Sequence, residues 1–141
     1  MGTLETAGLL IWWAEGSKSR RDKRWRTAVS YPVEVTNTDA RIIQLFMKFM
    51  NEEMLVRPDR FKLQLQIHRG DNQKSLEKYW SNVTGIPHAH FQKTIVRPTG
   101  NKPGKSKGTC KVRFSDKLVY NALEKRLQAL LENISGCGAA G

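Results

Sequence analysis

Acidic residues are scarce in this chain. Its 13 Asp and Glu face 24 Lys and Arg, a formal net charge of +11. That excess points to a polyanion partner, because Lys and Arg neutralise phosphates and release counterions. It names the partner class and not the activity. Cysteine is equally sparse. Cys110 and Cys137 form no metal pattern with each other, which suits a reducing, intracellular setting such as cytoplasm, nucleoid or organelle. No apolar run is long enough to span a bilayer. The N-terminal one also lacks a preceding basic stretch, so neither a membrane partner nor a signal peptide is expected. A Gly-rich phosphate loop is missing, which excludes nucleotide hydrolysis of the P-loop kind. His68, His88 and His90 make no zinc pattern with the cysteines, and no Ser-His-Asp set can be argued from spacing.

What is present suits one folded domain. At 141 residues and 39% hydrophobic content, the chain can bury a real core. Residues 1–136 read as a single domain and residues 137–141 as a loose Gly-Ala tail. Thr6–Ala14 is predicted helical and apolar nearly all round, hence buried or at an interface, with Gly16 as its stop. Residues 17–26 are basic, either a solvated loop or a first strand. Val29, Tyr31, Val33 and Val35 alternate with polar positions, so a strand is expected, demoted by Pro32 to an edge or bulge. A second helix carries Ile42, Ile43, Leu45, Phe46, Phe49 and Met50 and ends before Arg57-Pro58. Strands are expected over 61–67, 91–97 and 109–115, and a short helix over 76–83. A last helix, capped by Ser115 or Asp116, is expected to bury Leu118, Val119, Ala122, Leu123, Leu127, Leu130, Leu131 and Ile134. The mixture of elements without regular alternation predicts an α+β fold.

The polar faces of these strands share a character. Lys62, Gln64, Gln66 and His68 lie on one, Lys111 and Arg113 on another, and Arg24 and Arg26 on a third. Gln pairs bidentately with adenine, and Arg or Lys with guanine, when a ribbon enters the major groove. Lys18 and Arg20 add charge before the first strand, and Lys102, Lys105 and Lys107 lie in a Gly-rich loop able to follow a phosphate backbone. The plainer reading of each is a solvated face and a hairpin tip. Trp12 and Trp80 read as core, although tryptophans also stack on bases.

Glu15 is the other candidate. The run Leu9-Leu10-Ile11-Trp12-Trp13-Ala14-Glu15-Gly16-Ser17 leads an apolar helix into one carboxylate and a glycine, with basic chain behind. A divalent metal and a phosphodiester need such an acid, yet a plain helix end reads the same way. One carboxylate is thin for metal-assisted hydrolysis. Two chains about a twofold axis would supply two, one for each DNA strand.

These residues resemble the LAGLIDADG homing endonucleases in their compact single-motif form. Glu15 stands at the metal-binding acid, Gly16 at the final glycine, and Ser17 at the small polar residue that follows. Val33-Glu34-Val35-Thr36-Asn37-Thr38-Asp39 running into Ile42-Ile43-Gln44-Leu45-Phe46 looks like the family's second strand and second helix. The strands around the Lys loop and the last helix look like its second hairpin and closing helix. The resemblance implies an antiparallel sheet saddle backed by helices and seated on duplex DNA. It implies a homodimer through the Thr6–Glu15 helix. Mg2+, or another divalent ion such as Ca2+ or Mn2+, would be held by Glu15 and Gly16. Glu15, Asn37 and Lys93 take the catalytic places, and the expected activity is double-strand hydrolysis at a long, roughly palindromic site. Two other readings remain open: an inactive DNA-binding regulator or accessory protein on the same fold, and an RNA-binding protein.

Overall fold

The computed structural model describes residues 2–16, 20–21, 29–98 and 106–135. The element order is α1 (Thr3–Glu15), β1 (Arg20–Arg21), β2 (Val29–Ser30), β3 (Pro32–Asn37), α2 (Ala40–Glu52), β4 (Lys62–His68), α3 (Gln73–Thr84), β5 (Ile95–Arg97), β6 (Thr109–Ser115) and α4 (Lys117–Ser135). Helix α1 extends beyond the predicted Thr6–Ala14 by a turn at its start and by Glu15 at its end. Segment 29–37 forms two strands rather than one, β2 pairing with β1 and β3 with β6, with Tyr31 between them.

Two hydrogen-bonded sheets result. In the larger one the order is β3-β6-β4-β5, and β1 pairs with β2 in the smaller. Strand β6 runs antiparallel to both neighbours, while β5 lies parallel to β4. The α+β class holds, but the sheet is mixed rather than antiparallel. β5 and β6 form no hairpin around the Lys loop, since β4 separates them. Strand 91–97 is also shorter than predicted. Residues 88–90 form a 3-10 turn, Phe91 makes an isolated bridge to Leu63, and regular pairing begins only at Ile95.

Alternation decides what each face of the sheet meets. Val33, Val35, Leu63, Leu65, Ile67, Cys110, Val112 and Phe114 are buried. They form one core with Ile43, Phe46, Phe49 and Met50 of α2, Leu9 and Trp12 of α1, and Leu123, Leu127 and Leu130 of α4. Trp12 packs edge-on to Tyr120, and Trp80 is fully buried with its indole N–H donating to the Lys107 carbonyl at 2.7 Å. Two predicted core positions of α4 are corrected. Leu118 is 81% and Ile134 64% exposed. The buried stripe is Tyr120, Leu123, Leu127 and Leu130. Leu118 lies half a turn round from Tyr120, and Ile134 lies one turn beyond the last buried position.

The helix ends follow local chemistry. Asp39 accepts from the Arg41 amide at 2.9 Å, Asn72 from the Ser75 amide at 3.0 Å, and Asp116 from the Val119 amide at 3.0 Å. Helix α3 stops at Gly85, whose φ of 76° is the left-handed conformation that glycine adopts without strain. Among the described residues no helix is long and apolar enough to cross a membrane.

Helix α1 can approach α2 only because residue 8 is glycine. A Cβ there would stand 2.1 Å from Phe49 Cγ and 2.5 Å from Phe49 Cβ. The root of Phe49 cannot swing away, so Gly8→Ala should lower stability by about 1–3 kcal/mol, although alanine favours helix. Urea unfolding of the two proteins checks this.

Two carboxylates tie distant parts together. Burial raises the affinity of Glu77 for a proton. Hydrogen bonds from His88 (2.8 Å), Thr94 (2.7 Å) and Gln73 (3.0 Å) outweigh it and hold the carboxyl below its usual range. Asp116 is also lowered, first by the Val119 amide and then by Arg60. A carboxylate whose folded pKa is depressed contributes stability above its unfolded pKa and loses it as pH falls through the folded value. The urea midpoint should therefore fall on acidification below about pH 5. Glu77→Gln should make that fall shallower.

Candidate nucleic-acid interface

The face of the sheet opposite the core is polar, and none of the helices among the described residues packs on it. Cross-strand register assembles it into rows. Glu34, Arg113 and Lys62 form one; Thr36, Lys111 and Gln64 the next; then Thr109 and Gln66; then His68 opposite Arg97 of β5. The four β4 residues predicted to share a face, Lys62, Gln64, Gln66 and His68, do so. They sit beside Lys111 and Arg113 of β6, as an even two-residue period requires.

Contacts within the face orient its side chains. Gln64 donates its amide N–H to the Lys93 carbonyl at 3.1 Å, and Arg97 donates to Gln66 Oε1 at 3.2 Å. His68 offers its backbone N–H to Asp71 at 2.9 Å. Glu34 stands between two cations, 3.7 Å from Lys111 Nζ and 3.4 Å from Arg113 Nε. It is the one acid among the outward residues of β3, β4 and β6. The face can therefore offer guanidinium and ammonium donors at one end and fixed carboxamides at its centre, the groups that contact phosphates and base edges.

Glu15 ends α1 and is exposed. Gly16 follows with extended backbone and forms an antiparallel bridge to Val35, on the edge of β3 away from β6. A Cβ on Gly16 would stand 2.3 Å from the Trp12 carbonyl and 3.1 Å from the Glu34 carbonyl, so the tight exit requires glycine. The bridge brings the end of α1 to within two residues of Asn37. Asn37 Oδ1 accepts the Asp39 amide at 2.8 Å, so this oxygen serves the turn into α2. Its NH2 group is what remains to donate to a ligand.

Lys93 is placed elsewhere. It flanks β4 on the β5 side, four strand spacings from Gly16, or roughly 19 Å at ~4.8 Å each. One protomer thus places Glu15 and Asn37 at the β3 side of the sheet and leaves Lys93 on the opposite edge. Among the described residues no group of three or more His, Cys, Asp or Glu could hold a metal ion. Glu15 and the Gly16 carbonyl are hard oxygen donors, the type Mg2+ takes, but the described residues do not complete a metal site around them. The two histidines read as surface residues are accounted for differently. His88 bonds Glu77, and His90 is only partly covered.

Several predicted contacts lie outside the described residues: Lys18, Arg24, Arg26, Lys102 and Lys105; Cys137 of the Gly-Ala tail lies outside them too. Arg20 is in β1, paired with Ser30. Lys107 is exposed, with its ammonium 5.4 Å from the Tyr79 ring centre. Three residues of the face escaped sequence reasoning. Glu34 and Thr36 occupy outward positions of the alternation that predicted β3, so their pattern was visible. Arg60 had no such signal, because only the chain reversal before β4 brings it to the sheet.

Comparison with protein-family models, curated proteins and solved structures finds no match to this chain.

Glu34 holds two like charges close together, and its side chain is only 14% exposed. Glu34→Gln should cost roughly 1 kcal/mol at low ionic strength. Added salt should shrink the difference by screening the lost pairs. Thermal melts at two salt concentrations would show it.

Proposed function

We propose that this chain is a homodimeric DNA-binding protein of the LAGLIDADG homing-endonuclease type, which cuts both strands of a roughly palindromic duplex site in a Mg2+-dependent reaction. The observation that carries this reading is the open sheet face. It is helix-free, basic at one end and lined with held glutamines, with the α1 terminus at its edge. The net charge of +11 supplies the sequence-independent attraction to duplex.

The dimer reading rests on α1. Its Gly8, Leu9 and Trp12 face the core. Ala7 and Leu10 are half-covered, and Trp13 is 46% exposed. Leu10 also packs against the core, so Trp13 is the exposed apolar side chain of α1 that would suit a second copy of the helix. A twofold axis beside α1 would bring two Glu15 carboxylates together, each with the Gly16 carbonyl beside it, and those oxygens would hold the divalent ion. The bound ion would supply Lewis-acid stabilisation of charge on the phosphate. Asn37 would donate a hydrogen bond near the scissile group. Lys93, on the far edge of the sheet, serves the DNA surface in this reading rather than the cleavage centre.

A second reading is favoured by one observation. Within a protomer no catalytic cation is described beside Glu15, so the same surface would also serve a DNA-binding regulator that does not cut.

Incubation with randomised duplex libraries, in Mg2+ and in EDTA, separates the two. The nuclease should bind in both and cut only in Mg2+, and Glu15→Gln should keep affinity within about twofold while cutting falls at least ~100-fold. Tight binding without cutting on any bound site would leave the regulator. Preferential binding of structured RNA would sink both. Sedimentation velocity on the same samples should give a dimer.

A further inference from the structure

Where β4 begins and β6 ends, the open face dips into a cavity of about 300 Å3. Arg60, Lys62, Gln92, Arg113 and Ser115 line it, with the Phe114 ring alongside. Lys62 and Arg113 are direct cross-strand partners. Like charges in that position repel and weaken a sheet, so the pairing is a cost that a bound anion would offset. Arg60 brings a third cation from the turn before β4.

The two guanidiniums are held in place without being used up. Arg113 is engaged through Nε by Glu34 at 3.4 Å. Arg60 gives one Nη to Asp116 at 3.1 Å and lies 5.3 Å from the Phe114 ring centre. A guanidinium has five N–H donors in a planar fork. Each therefore keeps donors for a ligand while its direction is set. Lys62 has no carboxylate partner among the described residues and is exposed. The Ser115 hydroxyl and the Gln92 amide add neutral donors. Three cations against two carboxylates leave a net positive pocket, and its donors suit a tetrahedral oxyanion.

We propose that this cavity is a phosphate site, and that it takes one backbone phosphate of the duplex bound across the sheet. The identity of that phosphate rests on the DNA reading above. The proposal divides the face into two parts. Arg60, Lys62 and Arg113 anchor the backbone, whereas Gln64 and Gln66, two and four residues along β4, read bases.

Two measurements test it. The first follows the Nε–Hε signals of Arg60 and Arg113 by NMR during titration with inorganic phosphate. Saturable shifts confined to these two, and weakened in Lys62→Gln, are expected. Uniform small drifts across all arginines would overturn the site. The second measures duplex affinity against salt. Lys62→Gln and Arg60→Gln should each reduce the slope of log affinity against log salt by about 0.9. They should weaken all duplex sequences by the same factor. Gln66→Ala should change the ranking of sequences and leave the slope alone. Lys62 is exposed, so its variant folds even if loss of the Arg60–Asp116 pair unsettles the other. Duplex binding with an unchanged slope in Lys62→Gln overturns the proposal and spares the DNA reading. Localised phosphate shifts without any duplex binding show a site for free phosphate instead, which sinks the backbone assignment and the DNA reading together.

Discussion

The register of β6 is the constraint on which the molecule depends. This strand pairs with β3 on one side and β4 on the other. It presents Cys110, Val112 and Phe114 to the helices and Thr109, Lys111, Arg113 and Ser115 to the open face. A slip of one residue would drive Lys111 and Arg113 into the core and expose three apolar side chains. The penalty for burying two charges fixes the strand, and it fixes the rows of the polar face at the same time. Core and polar face are two sides of one alternation.

Helix α1 is positioned by a different device. Its apolar circumference would allow many packings, and Gly8 against the Phe49 ring selects one. Trp12 then meets Tyr120 edge-on, and a pairing of Arg126 with Glu5 joins α4 to α1. These contacts carry the α1 terminus to β3, where Gly16 bridges Val35. The acid at the end of α1 therefore lies beside the sheet because of packing upstream of it. Asn37 shares the neighbourhood through β3. Lys93 does not, since the parallel pairing of β5 with β4 carries it to the far edge.

That parallel pairing shows why sequence patterns stop short of topology. Alternation identified β3, β4 and β6 and their outward residues. Helical spacing identified α2, and Asp116 was readable as a cap. The segment 91–97 read as a strand, yet its neighbours follow from long-range contacts. Glu77, on α3, accepts from Thr94 and His88 and draws this segment against the helix, so it reaches β4 on the side away from β6. The same contacts shorten the paired region to Ile95–Arg97.

The sequence alone determined the α+β class, the order of the helices and of the main strands, the polar faces of β3, β4 and β6 and the acid-glycine end of α1. Each is a local property, set by periods of two or 3.6 residues and by capping chemistry. Only the tertiary structure decided which strands lie side by side, which charges share a row, and which candidate residues meet. Those outcomes depend on contacts between residues far apart in the chain, such as Lys62 with Arg113 and Arg60 with Asp116. Their repulsions and pairings have no counterpart in any short stretch of sequence, so the cationic cavity they line was legible only once the chain was folded.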